Sequence, residues 1–205
     1  MYVEYLGIPG CGKTFWKDKY LKQLRAEGKA FLDVSRQKVM PLWLKVFYKF
    51  AETVLLQLPR YKSETREYEE ACKGCRKEPK YLPFSLAYCI KDIVLASLLH
   101  DIFSGKKIYL NDEGQCQRVV VLVVQYGVQL DRLIPSLKKY SGDVKTIYVQ
   151  TEVYTAIANI RKRNRHVCPM DELTDKELWS YEQECYECCE LLAKEIDSNF
   201  ELKII

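Results

Sequence analysis

The chain has no long uninterrupted apolar run. Its most apolar stretch, residues 41–58, is broken by Lys45, Lys49 and Glu52, so no segment reads as the roughly 20-residue span that a bilayer requires. It also has little excess charge: a net +4 over 205 residues suits a ligand carrying several phosphates but is too small to call for a nucleic-acid partner. Internal repeats and low-complexity tracts are absent, which excludes solenoid arrays. The opening residues already read as a strand and a glycine-rich loop, leaving no place for a secretory leader, and the expectation is a cytoplasmic protein. The length supports one substantial core and is short for two ordinary domains. What is present is a globular balance, 48% hydrophobic and 29% charged residues, together with nine cysteines. Without a leader, those cysteines read as reduced thiols or metal ligands rather than disulfides.

Residues 7–14 read Gly-Ile-Pro-Gly-Cys-Gly-Lys-Thr, a complete G-x-x-x-x-G-K-[ST] pattern. Average composition produces this pattern by accident roughly once in a hundred chains of this length. Its glycines let the backbone curl so that N–H groups face phosphate oxygens; the lysine reaches the β/γ-phosphates and the threonine hydroxyl serves Mg²⁺. Gly7, Pro9, Gly10, Cys11, Gly12, Lys13 and Thr14 are therefore the expected contacts of a nucleoside triphosphate, ATP or GTP. The flanks agree, with β-prone residues 2–6 before the loop and a helical pattern over 14–25 after it, whose N-terminus adds its dipole to the phosphate site. Cys11 lies where a helix end favours a thiolate, although a small loop residue without redox role is the simpler reading.

Further along, residues 30–34 read as a second strand, followed by a section, 35–103, with no convincing strand. Within it, Trp43, Val46, Phe47, Phe50, Val54 and Leu58 recur at helical spacing, and Pro59 reads as that helix's end. A charged, exposed-looking stretch covers 61–80. Leu86, Ile90, Ile93, Val94, Leu98 and Ile102 then mark a helix apolar on most sides, hence central. Residues 105–111 supply a strand, 115–137 a helical pattern despite the β-prone 119–124, 144–150 a fourth strand and 152–163 another helix. Thr174 with Glu177 forms a capping box ahead of the last helix, and residues 200–204 close as a strand. Strands alternating with helices imply an α/β fold with a parallel sheet covered on both faces.

Two further features bear on chemistry. Ile108-Tyr-Leu-Asn-Asp112-Glu113 has the form of an apolar strand ending in acids: Asp112 would share the Mg²⁺ shell with Thr14, and Glu113 would serve as general base. Arg161 and Arg165, four residues apart on one helix face, would neutralise charge on a transferring phosphoryl group and close over it as a lid. A solvated basic helix end is the bland alternative.

With the phosphate loop, the Asn111-Asp112-Glu113-Gly114 strand end and the basic segment before a long final helix, the chain resembles the P-loop kinases of the nucleoside and nucleoside-monophosphate type, thymidylate-kinase-like proteins in particular. The resemblance implies a three-layer fold with a five-stranded parallel sheet in the order 2-3-1-4-5 and helices on both faces. It also implies one domain, 1–205, with a helical acceptor-side insertion at about 37–104 and a lid at about 161–173. Asp33 and Arg36, at the end of strand two, would then face the acceptor. An Asp-Arg pair common in thymidylate kinases has no counterpart at Asp112-Glu113.

Cys72/Cys75 and Cys185/Cys188 have half-zinc-site spacing. The second pair falls in one helical stripe with Leu178, Tyr181 and Leu192 and reads as core filling; the first remains a candidate with His166 and Cys168. The sequence therefore points to an Mg²⁺- and ATP-dependent phosphotransferase acting on an unidentified small acceptor, with homodimerisation open. An NTPase driving a partner's conformational change, or a nucleotide-dependent binding protein, are the alternatives.

Overall fold

Tyr2–Leu6 is buried along its whole length, as a strand covered on both faces must be, and this β1 lies inside the sheet of the computed structural model. The structure describes residues 1–35, 41–103, 107–141, 144–163, 169–196 and 200–204. After β1 come α1 (Lys13–Ala26), β2 (Phe31–Asp33), α2 (Leu42–Thr53), α3 (Pro59–Ala71), α4 (Leu86–Phe103) and β3 (Ile108–Asn111). The chain continues through α5 (Gln115–Tyr126), α6 (Ile134–Ser141), β4 (Val144–Gln150), α7 (Val153–Arg163), α8 (Asp175–Glu195) and β5 (Phe200–Ile204). The body of the sheet is β2-β3-β1-β4, with β5 alongside β4 at the outer edge. Every pairing is parallel, β1 matching Tyr2 to Tyr109 on β3 and to Val144 on β4. Parallel strands deliver their C-terminal ends to one rim, so the loops after β1, β2, β3 and β4 converge there. The order reverses at β1, which is where open α/β sheets form a crevice.

Local chemistry explains the element ends. The capping box at α8 is present, Glu177 N–H donating to Thr174 Oγ1 and the Glu177 carboxylate accepting from Thr174 N–H. Gly127, at φ 67°, terminates α5 in the left-handed conformation glycine favours. Residues 119–124 are helical despite their β propensity, because Val119, Val120 and Leu122 bury one face of α5 against the core. Helix α4 is buried nearly all round, as its sequence implies.

The structure sets the orientation of α2, which spacing alone left open, and corrects two expectations. The stripe of Trp43, Val46, Phe50, Val54 and Leu58 faces outward, Val46 being 61% and Phe50 48% exposed. The inward face of α2 is Leu44, Tyr48 and Ala51; apolar residues on both faces of one helix make its inner side ambiguous from periodicity alone. Pro59 starts α3 instead of ending α2, because a first-turn proline gives up an N–H that would be orphaned anyway. The charged stretch 61–80 therefore contains most of a helix, and α3 buries Tyr61, Tyr68 and Ala71. No helix among the described residues is long and apolar enough to cross a membrane.

Candidate functional site

The phosphate loop is tied down from behind. Asn159 Nδ2 on α7 donates to the Gly10 carbonyl at 3.0 Å, and Thr151 Oγ1, just after β4, donates to the Cys11 carbonyl at 3.2 Å. Gln117 Oε1 on α5 accepts from Gly7 N–H at 3.1 Å. With its carbonyls held on the α7 side, the loop is free to aim amides the other way. Gly10 is required twice over: its φ is +81°, and a Cβ there would overlap the Ala156 carbonyl oxygen. Lys13 Nζ lies in the curl of the loop, donating to the carbonyls of Gly7 at 2.6 Å and Ile8 at 3.1 Å. Burial works against its charge, but Cys11, Glu113, Cys189 and Glu182 outweigh that and its pKa is raised.

At the ends of β2 and β3 the acids are cross-braced. Lys17, one turn into α1, has no exposed side-chain surface, and its Nζ lies 3.0 Å from Asp33 Oδ2 and 3.3 Å from Asp112 Oδ2. The same ammonium donates to Ser35 Oγ at 3.0 Å. Ser35 N–H donates to Asp33 Oδ1, and Asp112 N–H donates to Ser35 Oγ, each at 3.0 Å. Glu113 is the more exposed of the β3 acids. Its carbonyl accepts from Arg118 Nε at 3.1 Å, and Arg118 forms an ion pair with Asp92 of α4.

A buried carboxylate supports this loop from below. Glu4 Oε2, on β1, accepts from the first amide of α5 (Gln115 N, 2.8 Å), and Oε1 accepts from Thr146 Oγ1 at 3.1 Å. Burial raises the Glu4 pKa while these donors pull it down. Glu4 thereby caps α5 immediately after the Asp112-Glu113 turn. Gly114 leaves it room, since a Cβ there would overlap the carboxylate.

Loop, acids and helices enclose a cavity of about 370 Å³, within the range of small-molecule sites. Its walls are Gly10, Gly12, Lys13 and Thr14 on one side and Asp112, Glu113, Gln117 and Arg118 on another. Asp92, Phe84 and Tyr88 face them from the β2–β3 connection, and Arg163, Met170 and Asp171 from the region of the expected lid. Phe84 and Tyr88 stack on each other with ring centroids 6.0 Å apart and add aromatic surface to the lining.

The structure thus brings Lys13, Thr14, Asp112 and Glu113 together. Asp33 joins them through Lys17. Arg161 is engaged elsewhere: it donates to Asp175 Oδ1 at 2.7 Å and to the Leu173 and Asp171 carbonyls at 2.8 and 3.2 Å. It staples the end of α7 to the start of α8, and the neighbouring Arg163 is the arginine that α7 contributes to the cavity wall. Arg36, Arg165, His166 and Cys168 lie outside the described residues. No cluster of three or more metal-binding side chains occurs among the described residues. Burial pushes the Cys72 thiol up to about 11 and Cys188 up to about 12, which disfavours the thiolate that zinc needs.

Lys17, Glu4, Asp92, Arg118, Gln117 and Arg163 were not legible as site residues. One signal was available for Lys17: with Leu21 and Leu24 it forms the buried stripe of α1, and a lysine in such a stripe needs a partner. Glu182 is a parallel case on α8. It is fully buried in the stripe with Leu178 and Cys185, neither carboxylate oxygen has a hydrogen-bond partner among the described residues, and burial, opposed by Lys13, pushes its pKa up to about 8.

Solved structures of a deoxyadenosine kinase from M. mycoides align over the entire chain. One, with the products dCMP and a flexible dCDP, has 15% identity, covers 90% of the kinase and gives a TM-score of 0.53. Another, with bound dATP, also has 15% identity and 90% coverage, with a TM-score of 0.52. The chain has a nucleoside-kinase-like fold. No protein-family model matches it. A trigger factor from Ureaplasma urealyticum serovar 10 is 24% identical over 153 residues, covering 70% of this chain and 32% of the relative; the chain spans about a third of that relative's length.

Proposed function

We propose that the chain is a nucleoside-kinase-type phosphotransferase that moves the γ-phosphoryl group of ATP or GTP to the hydroxyl of a nucleoside or related small acceptor. One observation carries the reading: the cavity adjoins the phosphate loop directly and continues past the β3 acids to an aromatic wall, Phe84 and Tyr88. A hydrolase needs only a water beside the γ-phosphate; aromatic and charged side chains lining the same cavity suit a second substrate. The deoxyadenosine kinases of the same fold support a nucleoside acceptor.

In this reading the loop amides and Lys13 bind the donor phosphates. Thr14 and Asp112 both line the cavity and offer the hard oxygen donors that Mg²⁺ takes, so they would hold the ion, which would neutralise charge on the β- and γ-phosphates. Glu113 accepts the proton of the acceptor hydroxyl as its oxygen bonds to phosphorus and the bond to the nucleoside diphosphate breaks. Arg163 faces the transferring group. Phe84 and Tyr88 pack on the flat face of the acceptor, and Arg118 and Asp92 offer hydrogen bonds to its polar edge.

The test is nucleotide turnover with a panel of deoxynucleosides, ribonucleosides and nucleoside monophosphates. ADP release stimulated at least about tenfold by one acceptor, with stoichiometric phosphorylated product, supports transfer. ADP release that no acceptor stimulates overturns it.

A further inference from the structure

Lys17 belongs to no part of the phosphate-loop motif, yet it is the most completely buried charge at the site. Its side chain has 0% exposure, and its ammonium contacts Asp33 at 3.0 Å, Asp112 at 3.3 Å and Ser35 Oγ at 3.0 Å. An ammonium has three donors, and these acceptors use all of them. Asp33 and Asp112 end neighbouring parallel strands, β2 and β3, so their carboxylates converge on one point. Two converging anions with little water need a cation between them. Elsewhere in proteins, a pair of carboxylates at strand ends takes a divalent ion.

We propose that Lys17 is a positioning residue of the transfer site: a tethered cation that fixes the acids at the ends of β2 and β3 and occupies the point between them where a divalent ion would otherwise bind. Its role in turnover rests on the phosphotransfer reading above, while its exclusion of a metal does not. Asp33 is pinned on both oxygens, Oδ1 by Ser35 N–H and Oδ2 by Lys17. It therefore cannot swing towards the loop and draw Mg²⁺ away from Thr14. Asp112 gives Oδ2 to Lys17, and its other oxygen is left to the ion that accompanies the nucleotide. Among the described residues this arrangement leaves one place for a divalent ion, formed together with the triphosphate, and fills the point between Asp33 and Asp112 in the nucleotide-free protein.

The test titrates Mn²⁺ into nucleotide-free protein, with free Mn²⁺ read by electron paramagnetic resonance. The wild-type chain should show no saturable site in the micromolar range. Lys17→Met should acquire one, at least about tenfold tighter than any wild-type binding, because two carboxylates lose their counter-charge. Lys17→Met/Asp112→Asn should lose it again. A folded Lys17→Met protein, judged by circular dichroism, that binds Mn²⁺ no better than wild type overturns the proposal. If Lys17→Met does not fold alone, the readout becomes its thermal transition in millimolar Mn²⁺: a transition restored by Mn²⁺ and absent in EDTA supports the proposal, and failure of Mn²⁺ to restore it overturns it. A wild-type chain that phosphorylates no acceptor would sink the transfer reading and leave these metal-binding results to stand or fall separately.

Discussion

Glu182→Gln is the substitution for which the structure makes the sharpest demand. The carboxyl is fully buried, neither of its oxygens has a hydrogen-bond partner among the described residues, and burial, eased by Lys13, pushes its pKa from 4.5 up to about 8. A carboxyl whose folded value is raised binds its proton more tightly in the native state than in the unfolded chain. Its contribution is therefore fully present below about pH 4.5 and is lost as pH rises through about 8. At about 1.4 kcal/mol per pH unit, the loss across that window has a ceiling of about 5 kcal/mol, and about half of this is a realistic expectation once the site relaxes. Glutamine has the same shape and no charge to bury. The difference in stability between Glu182→Gln and wild type should be smallest at pH 5, under about 1 kcal/mol, and grow to roughly 2–5 kcal/mol in favour of the variant at pH 8.5. Urea denaturation of both proteins at pH 5, 6, 7, 8 and 8.5 measures it. Taking the difference at each pH cancels Glu4 and Glu64, whose pKa values burial also raises. A difference that stays constant across the series would refute the reasoning, because it would mean that Glu182 is ionised throughout or not buried.

The two faces of α2 can be told apart by mutation. Val46→Glu and Phe50→Glu should each change stability by no more than about 0.5 kcal/mol, whereas Leu44→Ala should cost roughly 2–5 kcal/mol; equal costs on both faces in thermal denaturation would contradict the observed orientation. Arg163→Ala should lower kcat for the best acceptor by roughly 10²-fold with the melting temperature little changed. Arg161→Ala should instead leave kcat within a few-fold and weaken the α7–α8 staple by about 1 kcal/mol; kinetics showing the reverse assignment would return Arg161 to the catalytic role its sequence position suggests.

What the sequence disclosed, and what it hid, follows from the kind of interaction involved. The glycine loop of residues 7–14 is legible because its glycines meet local backbone demands, Gly10 and Gly12 taking positive φ. The alternation of strand and helix patterns discloses a parallel sheet covered by helices, whereas the order of its strands is what the resemblance to P-loop kinases implies and periodicity does not supply. Helix α5 survives its β-branched run because burial of Val119, Val120 and Leu122 overrides a propensity worth only tenths of a kcal/mol per residue. Several of the residues it hid show the opposite property and meet partners across a long interval of chain. Lys17 reaches Asp112 over 95 residues, Glu4 reaches Gln115 over 111, and Asn159 reaches Gly10 over 149. The rim of a parallel sheet is assembled from loops distant in sequence, so no local pattern announces these contacts.

Within those limits the hidden residues have a common mark. Lys17 on α1, Glu182 on α8 and Glu4 on β1 each place an ionisable group in a position otherwise reserved for the core, and all are fully buried. Such placements cost stability, because a charge removed from water is repaid only by good partners. Lys17 and Glu4 have those partners, and Glu182 escapes the cost by holding its proton. The three stand on the elements that frame the phosphate loop: the strand that enters it, the helix that leaves it, and the helix whose Glu182 acts on Lys13. A core built only for stability would fill these positions with leucine or methionine. Their placement around the loop of residues 7–14 is what the phosphotransfer reading calls for, since a site that handles phosphate charge needs ionisable groups where a core would otherwise use apolar ones.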